Sequence, residues 1–179
     1  MRALTQACWR LLTFRAGGDD MPHSPRLLAV LLAATLALDI ALASVLENNG
    51  TSPLWILVRM GIALGLLFLL LQGAGKAARF VQTAIALTLA TLTFSIFSAP
   101  LLLVLWPLPT DQKQISVVQA LLMLLLMPVF FWLLWVRTWI LRGATEYRWA
   151  LAFLVSLALL VAEATLTLSL MKMITNDPP

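Results

Sequence analysis

Long apolar runs broken by short polar punctuation organise this chain. Five stretches reach the roughly 20 residues that a transmembrane helix needs: Leu27 to Leu46, Leu54 to Gln72, Phe80 to Trp106, Val117 to Leu141 and Trp149 to Lys172. Between them stand residues that break helices: Asn48-Asn49-Gly50 with Pro53, Gly73 with Gly75, Pro107 with Pro109, and Arg142-Gly143. The pattern predicts an all-α polytopic membrane protein, a five-helix bundle occupying residues 27–172 with a short external tail at 173–179. Five spans do not split into two equal inverted halves, and no internal repeat stands out, which argues against a repeat-type transporter.

Residues 1–26 follow a different rule. Leu4, Ala7, Cys8, Leu11 and Leu12 recur at helical spacing while Arg2, Gln6, Arg10 and Thr13 fall on the other side. That is the signature of a short amphipathic helix lying on a membrane surface, with Arg10 and Arg15 near anionic headgroups. It serves as an anchor or as a docking helix for a soluble partner. The stretch Gly17 to Pro25 reads as an irregular connector, because Pro22 and Pro25 forbid a continuous helix into the first span.

Composition narrows the class. Of 179 residues, 61% are hydrophobic and 11% charged, against about 25% charged in soluble domains, so neither a soluble surface nor a disordered chain can be built. The excess of 12 Lys+Arg over 8 Asp+Glu forms no contiguous basic tract, so it reports orientation rather than nucleic-acid binding. Arg2, Arg10, Arg15 and Arg26 precede the first span, Lys76 and Arg79 fill the second loop, and Arg142 and Arg148 fill the fourth, with Arg137 just inside the membrane. The alternate segments offer only Lys113 and Lys172. The positive-inside rule therefore puts the N-terminus in the cytoplasm and the C-terminus outside, in the periplasm for a bacterial inner membrane. Trp55 and Trp106 then mark the outer interface, Trp139 and Trp149 the inner one. Asn49-Gly50-Thr51 is a formal sequon too near the bilayer to be used.

Chemistry is sparse. Cys8 is alone and His23 has no metal-ligand companions, so no metal, cofactor or disulfide is expected. The chain lacks GxSxG, HExxH, P-loop and GxGxxG motifs, and Asp39 is the only aspartate in a span, so acyl, metal, phosphate and paired-aspartate chemistries have no residues to run on. No catalytic residue is assigned, and the chain is expected not to be an enzyme.

What needs an account is the set of ionisable residues inside the spans, Asp39, Arg59 and Glu163. A charge at a helix centre costs about 2.5–3.5 kcal/mol on insertion scales, so each demands a partner or a function. Asp39 lies about 10 Å below Leu46 and Arg59 about 8 Å below Leu54, at a rise of about 1.5 Å per residue. Equal depth on an antiparallel hairpin predicts an Asp39–Arg59 ion pair, the alternative being that Arg59 snorkels to the outer headgroups and Asp39 or Glu163 stays protonated. Glu163, about 13 Å below Lys172 and sharing a face with Ser156 and Thr167, is expected to complete a three-member network.

Other positions concern packing. Ala29, Ala33, Ala37 and Ala41 make a small-residue ladder on the first span, and Gly61 with Gly65 repeats the device on the second. Because Arg59 lies about 200° around the helix from Gly61, one face is expected to meet the hairpin partner and the other a third helix or another subunit. The hydroxyls of Thr83, Thr88, Thr91, Thr93, Ser95 and Ser98 serve helix packing or a pore lining. Pro100 and Pro128 are expected to kink the third and fourth spans. Trp132, Trp135 and Trp139 share one face of the fourth.

The five-span layout, the run Phe94-Ser95-Ile96-Phe97-Ser98-Ala99-Pro100 and the stretch Trp132 to Ala150 resemble the Yip1-like family of five-span membrane proteins. In that family a comparable fourth helix passes into a short basic loop and an Ala-rich fifth helix, as Arg137 to Gly143 and Trp149-Ala150 do here. The opening Arg10 to Asp19 is similar to that of small proteobacterial inner-membrane proteins. The resemblance implies a fold rather than an activity and supplies no catalytic residues. The expected function is a non-enzymatic scaffold or accessory subunit of a membrane complex, acting by helix association with membrane lipid, a partner protein or a second copy. The alternatives are a small transporter or channel using the intramembrane acids, and a lipid-handling protein.

Overall fold

The computed structural model describes residues 21–45, 53–105 and 116–175, with side chains to residue 170. The amphipathic segment before Met21, the sequon, Trp106, the loop with Lys113 and the external tail beyond residue 175 lie outside the described residues. Among the described residues five helices are long and apolar enough to cross a membrane, the layout of a multi-pass membrane protein. They are α1 (Pro25–Val45), α2 (Pro53–Gly73), α3 (Phe80–Leu105, preceded by a 3-10 turn at Ala77–Arg79), α4 (Val117–Thr145) and α5 (Trp149–Thr175).

Local chemistry sets their ends. Pro25 does not precede α1 but opens it: Ser24 accepts from the Leu27 N–H at 3.3 Å, and proline takes the first helical position, where a missing N–H costs nothing. α2 closes in a Schellman motif around Gly75, whose φ of +69° suits glycine, with the Lys76 N–H donating to the Leu71 carbonyl at 2.7 Å and the Gly75 N–H to that of Gln72 at 3.0 Å. α4 opens on a capping box in which the Ser116 and Gln119 side chains each accept from the other's backbone N–H.

The expected break at Arg142-Gly143 is overturned. α4 runs through both residues and ends at Glu146, which adopts a left-handed conformation with φ 62° and ψ 21°. The reason is tertiary. The Arg79 guanidinium, from another loop, donates to the terminal carbonyls of Gly143 and Ala144 at 3.2 and 3.3 Å. These groups would otherwise lack partners at a helix end. α3 and α4 also continue unbroken through Pro100 and Pro128, both exposed, where proline removes the bond to the carbonyl four residues back.

Helices adjacent in sequence are not always the ones that pack. α3 lies against α1 and α4, and α5 against α4 and α2, whereas α1 and α2 touch each other only lightly. The bundle therefore runs α1–α3–α4–α5–α2 around its circumference, and the first hairpin is splayed. Two apolar clusters fill the end where α2 and α4 finish and α1, α3 and α5 begin. One joins Met21, Leu31, Ile85, Ala86, Ala90, Leu133, Val136 and Ile140, and the other Leu67, Leu71, Ala84, Leu141 and Ala144. Met21, in the stretch read as a mere connector, is buried, and its carbonyl accepts from Gln82 Nε2 at 2.9 Å.

A clamp of charged side chains ties the two loops at this end. Glu146 binds Lys76 Nζ at 2.8 Å through one carboxylate oxygen and Arg79 Nη2 at 2.9 Å through the other. A left-handed conformation costs a residue with a side chain roughly 1–2 kcal/mol, and these two ion pairs and the Glu146 N–H bond to the Arg142 carbonyl hold it there. Hydrogen bonding to Lys76 first, and attraction to Lys76 and Arg79 after it, lower the Glu146 pKa below its usual range. We call this the clamped end, and the opposite one the open end.

Candidate functional site

Where α1 and α2 splay apart, the bundle encloses a cavity of about 130 Å³ to which all five helices contribute. α1 supplies Leu32, Thr35 and Asp39; α3 supplies Leu87, Thr88 and Thr91; α4 and α5 supply Arg137 and Glu163. α2 gives a whole face, including Arg59 and Ala63. Leu67 and Ala84, which line the cavity and also belong to the second apolar cluster, floor it toward the clamped end.

Each polar wall follows from helix geometry. Asp39 and Arg59 both sit about six residues, or about 9 Å, from the open ends of α1 and α2. The Arg59 guanidinium donates to Asp39 Oδ2 at 2.7 Å across the splayed hairpin. Arg137 lies eight residues before the end of α4, about 12 Å inside the bundle, and its Nη2 reaches Glu163 Oε2 on α5 at 3.5 Å. Side-chain exposure is 15% for Asp39, 18% for Arg137 and 22% for Glu163 but 52% for Arg59, so the cavity is most open beside Arg59.

The three ionisable residues singled out in the sequence thus all face one cavity, yet Glu163 does not bond to the Asp39–Arg59 pair. Its partner is Arg137, which the sequence suggested as a charge at the inner interface. The charged set has four members in two pairs, summing to zero. Hydroxyls divide as well: Thr83 and Thr93 donate to the carbonyls of Arg79 and Leu89 of the preceding turn, each at 2.8 Å, whereas Thr88 and Thr91 line the cavity. The Ser156 hydroxyl, on the inward face of α5, is fully buried and accepts or donates no bond among the described residues.

The small-residue faces point elsewhere. Ala29, Ala33, Ala37 and Ala41 are all exposed on α1, and so are Gly61 and Gly65 on α2. No atom of another element comes within 4 Å of where a Cβ would stand at either glycine. On α2 the cavity takes the side bearing Arg59 and Ala63, and the glycines lie nearly opposite it. Of the two faces of α2, the one bearing Arg59 meets the hairpin partner through Asp39, and the glycine face has no other element beside it among the described residues.

The tryptophans of α4 share a face but not a partner. Trp132 packs on the first apolar cluster, Trp135 meets Trp149 of α5 with ring centroids 4.5 Å apart, and the Arg142 guanidinium stands 5.4 Å from the Trp139 ring. Among the described residues no group of His, Cys, Asp and Glu could hold a metal ion. Compared with protein-family models, with curated proteins and with solved structures, the chain matches none of them.

Proposed function

We propose that the protein is a non-enzymatic multi-pass component of a bacterial inner membrane that works by helix association, as a scaffold or accessory subunit of a membrane complex. The observation that carries this reading is the uncovered small-residue surface of the first hairpin. Ala29, Ala33, Ala37, Ala41, Gly61 and Gly65 face outward. In a bilayer, helices associate through such residues because they let backbones approach closely, whereas leucine at a lipid-facing position inserts more favourably by some 0.3–0.6 kcal/mol. Six small residues on the outer faces of two adjacent helices forgo that gain.

The N-terminus is placed in the cytoplasm and the C-terminus in the periplasm. The clustering of Arg26, Lys76, Arg79, Arg142 and Arg148 at the clamped end supports that orientation. The five-helix layout is also in keeping with the proposed kinship to the Yip1-like family. Purification in mild detergent, with cross-linking in cells, tests the association. Wild type comes out as a defined oligomer or with a stoichiometric partner, and the Gly61→Leu, Gly65→Leu double variant, which has open space around it, stays folded but dissociates. A wild-type monomer without cross-links sinks the reading.

A second reading, movement of a small solute, is favoured by the cavity itself. In proteoliposomes it requires a flux that Asp39→Asn or Glu163→Gln abolishes.

A further inference from the structure

Four ionisable side chains from four helices are costly to hold within a membrane span, and here the two pairs they form both line one cavity. A purely structural ion pair is best buried with its remaining lone pairs and protons satisfied. These pairs do something else: Asp39 with Arg59 closes tightly at 2.7 Å, while Arg137 with Glu163 stands at 3.5 Å, the long limit of a contact. The cavity between them has room for about four water molecules at about 30 Å³ each.

The charge balance says what such a space can hold. An anion alone would draw an arginine from its acid and leave a carboxylate uncompensated in a poorly solvated site. A cation alone would strand an arginine in the same way. A guest with both signs can enter between the partners and leave every charge matched. Leu32, Leu64, Leu87 and Leu159 give apolar walls against which a short carbon chain can lie, and Thr88 and Thr91 offer hydroxyls beside it.

We propose that this cavity is a binding site for a small zwitterionic group, its anionic end taken by Arg137 and Arg59 and its ammonium by Glu163 and Asp39. The guest carries roughly five to nine non-hydrogen atoms, by the room available. Entry is beside the half-exposed Arg59, and Leu67 and Ala84 form the floor, so the site is a pocket that opens where α1 and α2 splay apart. The same chemistry is offered by a free solute such as an amino acid and by the headgroup of a zwitterionic lipid. Binding here stands apart from helix association, because the glycine face of α2 lies nearly opposite its cavity side.

The test uses the full-length protein in lipid-free detergent, with glycine and phosphoethanolamine as zwitterions and acetate and ethylammonium as single-charge controls. Binding is read by calorimetry and by the shift in melting temperature. The expected result is that a zwitterion binds and raises the melting temperature while neither control does, and that Arg137→Gln and Glu163→Gln each weaken binding roughly tenfold or more, the loss of a charged hydrogen bond. Ala63→Leu fills the cavity with all four charges kept, and it abolishes binding even if the charge variants fail to fold. A second arm compares nanodiscs of phosphatidylethanolamine and phosphatidylglycerol, with bound lipid read by mass spectrometry. Zwitterionic lipid retained by wild type and lost in Ala63→Leu assigns the site to a headgroup, and binding of the free compounds alone assigns it to a solute. Equal binding of acetate or ethylammonium, retention of the anionic lipid in preference, or no zwitterion bound in either arm overturns the proposal. None of these results depends on whether the protein is a monomer.

Discussion

The clamped and open ends are made of the same five helices and differ in what fills them. At the clamped end, small side chains on α3 let helices close in: Thr83, Ala84, Ala86 and Ala90 are all fully buried, with Ile85 locked among them. Two apolar clusters and the Glu146 clamp complete the contact. At the open end Val117, Val118, Leu121, Leu124 and Leu125 are exposed on α4, and the Asp39–Arg59 ion pair bridges the gap of the first hairpin. The lesson is that hydrophobicity does not distinguish the two ends, since leucine fills both. Shape does: a helix in lipid gains little by exchanging lipid for leucine, so tight packing needs small or interlocking surfaces.

The sharpest way to break that comparison is to truncate a residue at each end. Ile85→Ala at the clamped end is expected to cost about 2–5 kcal/mol, the range for a buried isoleucine. Leu124→Ala, at 67% exposure, should change stability by less than about 0.5 kcal/mol. Reversible unfolding of the purified protein in mixed micelles checks both, and equal effects would end the distinction between a packed and an open half.

A smaller effect is expected at the ion pair that bridges the splayed hairpin. A double-mutant cycle on Asp39→Asn and Arg59→Gln should give a coupling of about 0.6 kcal/mol and no more than about 1.7, the mean and the maximum for polar contacts between membrane helices. Zero coupling would mean that the hairpin is held by other contacts and that Arg59 is free to turn to lipid.

The smallest expected effect is a pH response confined to the clamp. The folded-state pKa of Glu146 is lowered, so its contribution is fully present above the unfolded value of 4.5 and is lost as pH falls through the folded value below it. Protection factors of residues 73–79 and 146–148, with the intrinsic pH dependence of exchange divided out, should therefore be unchanged from pH 7 down to about 5 and should fall only in more acid solution. Glu146→Gln removes that response, and a variant that still loosened with acid would assign the effect to another group.

Arg137 marks where legibility in the sequence stopped. Placed at the end of a span closing at Leu141, it reads as an interfacial charge. In the structure α4 continues four residues further, to Thr145, so the same arginine lies about one turn deeper and turns inward to Glu163. The signal that gives this away is in a different loop: Arg79 caps the carbonyls of Gly143 and Ala144 and lets the helix run on. A sequence window around α4 does not contain that residue. Asp39 and Arg59 are different, because a short hairpin fixes their relative depth with no reference to the rest of the fold.

By itself, then, the amino-acid sequence determined that the chain has five helices long and apolar enough to cross a membrane, and it determined the equal depth of Asp39 and Arg59. These are set by runs of apolar residues, by caps and breakers, and by the rise of a helix, all of which act within a few turns of chain. Only the tertiary structure decided that α1 packs on α3 and α2 on α5, that Glu163 answers Arg137, and that the small-residue faces look outward while the charges line one cavity. Those outcomes depend on how five helices are rotated about their axes relative to one another. In a bilayer every face is apolar enough to meet lipid, so no single helix carries that rotation in its own pattern.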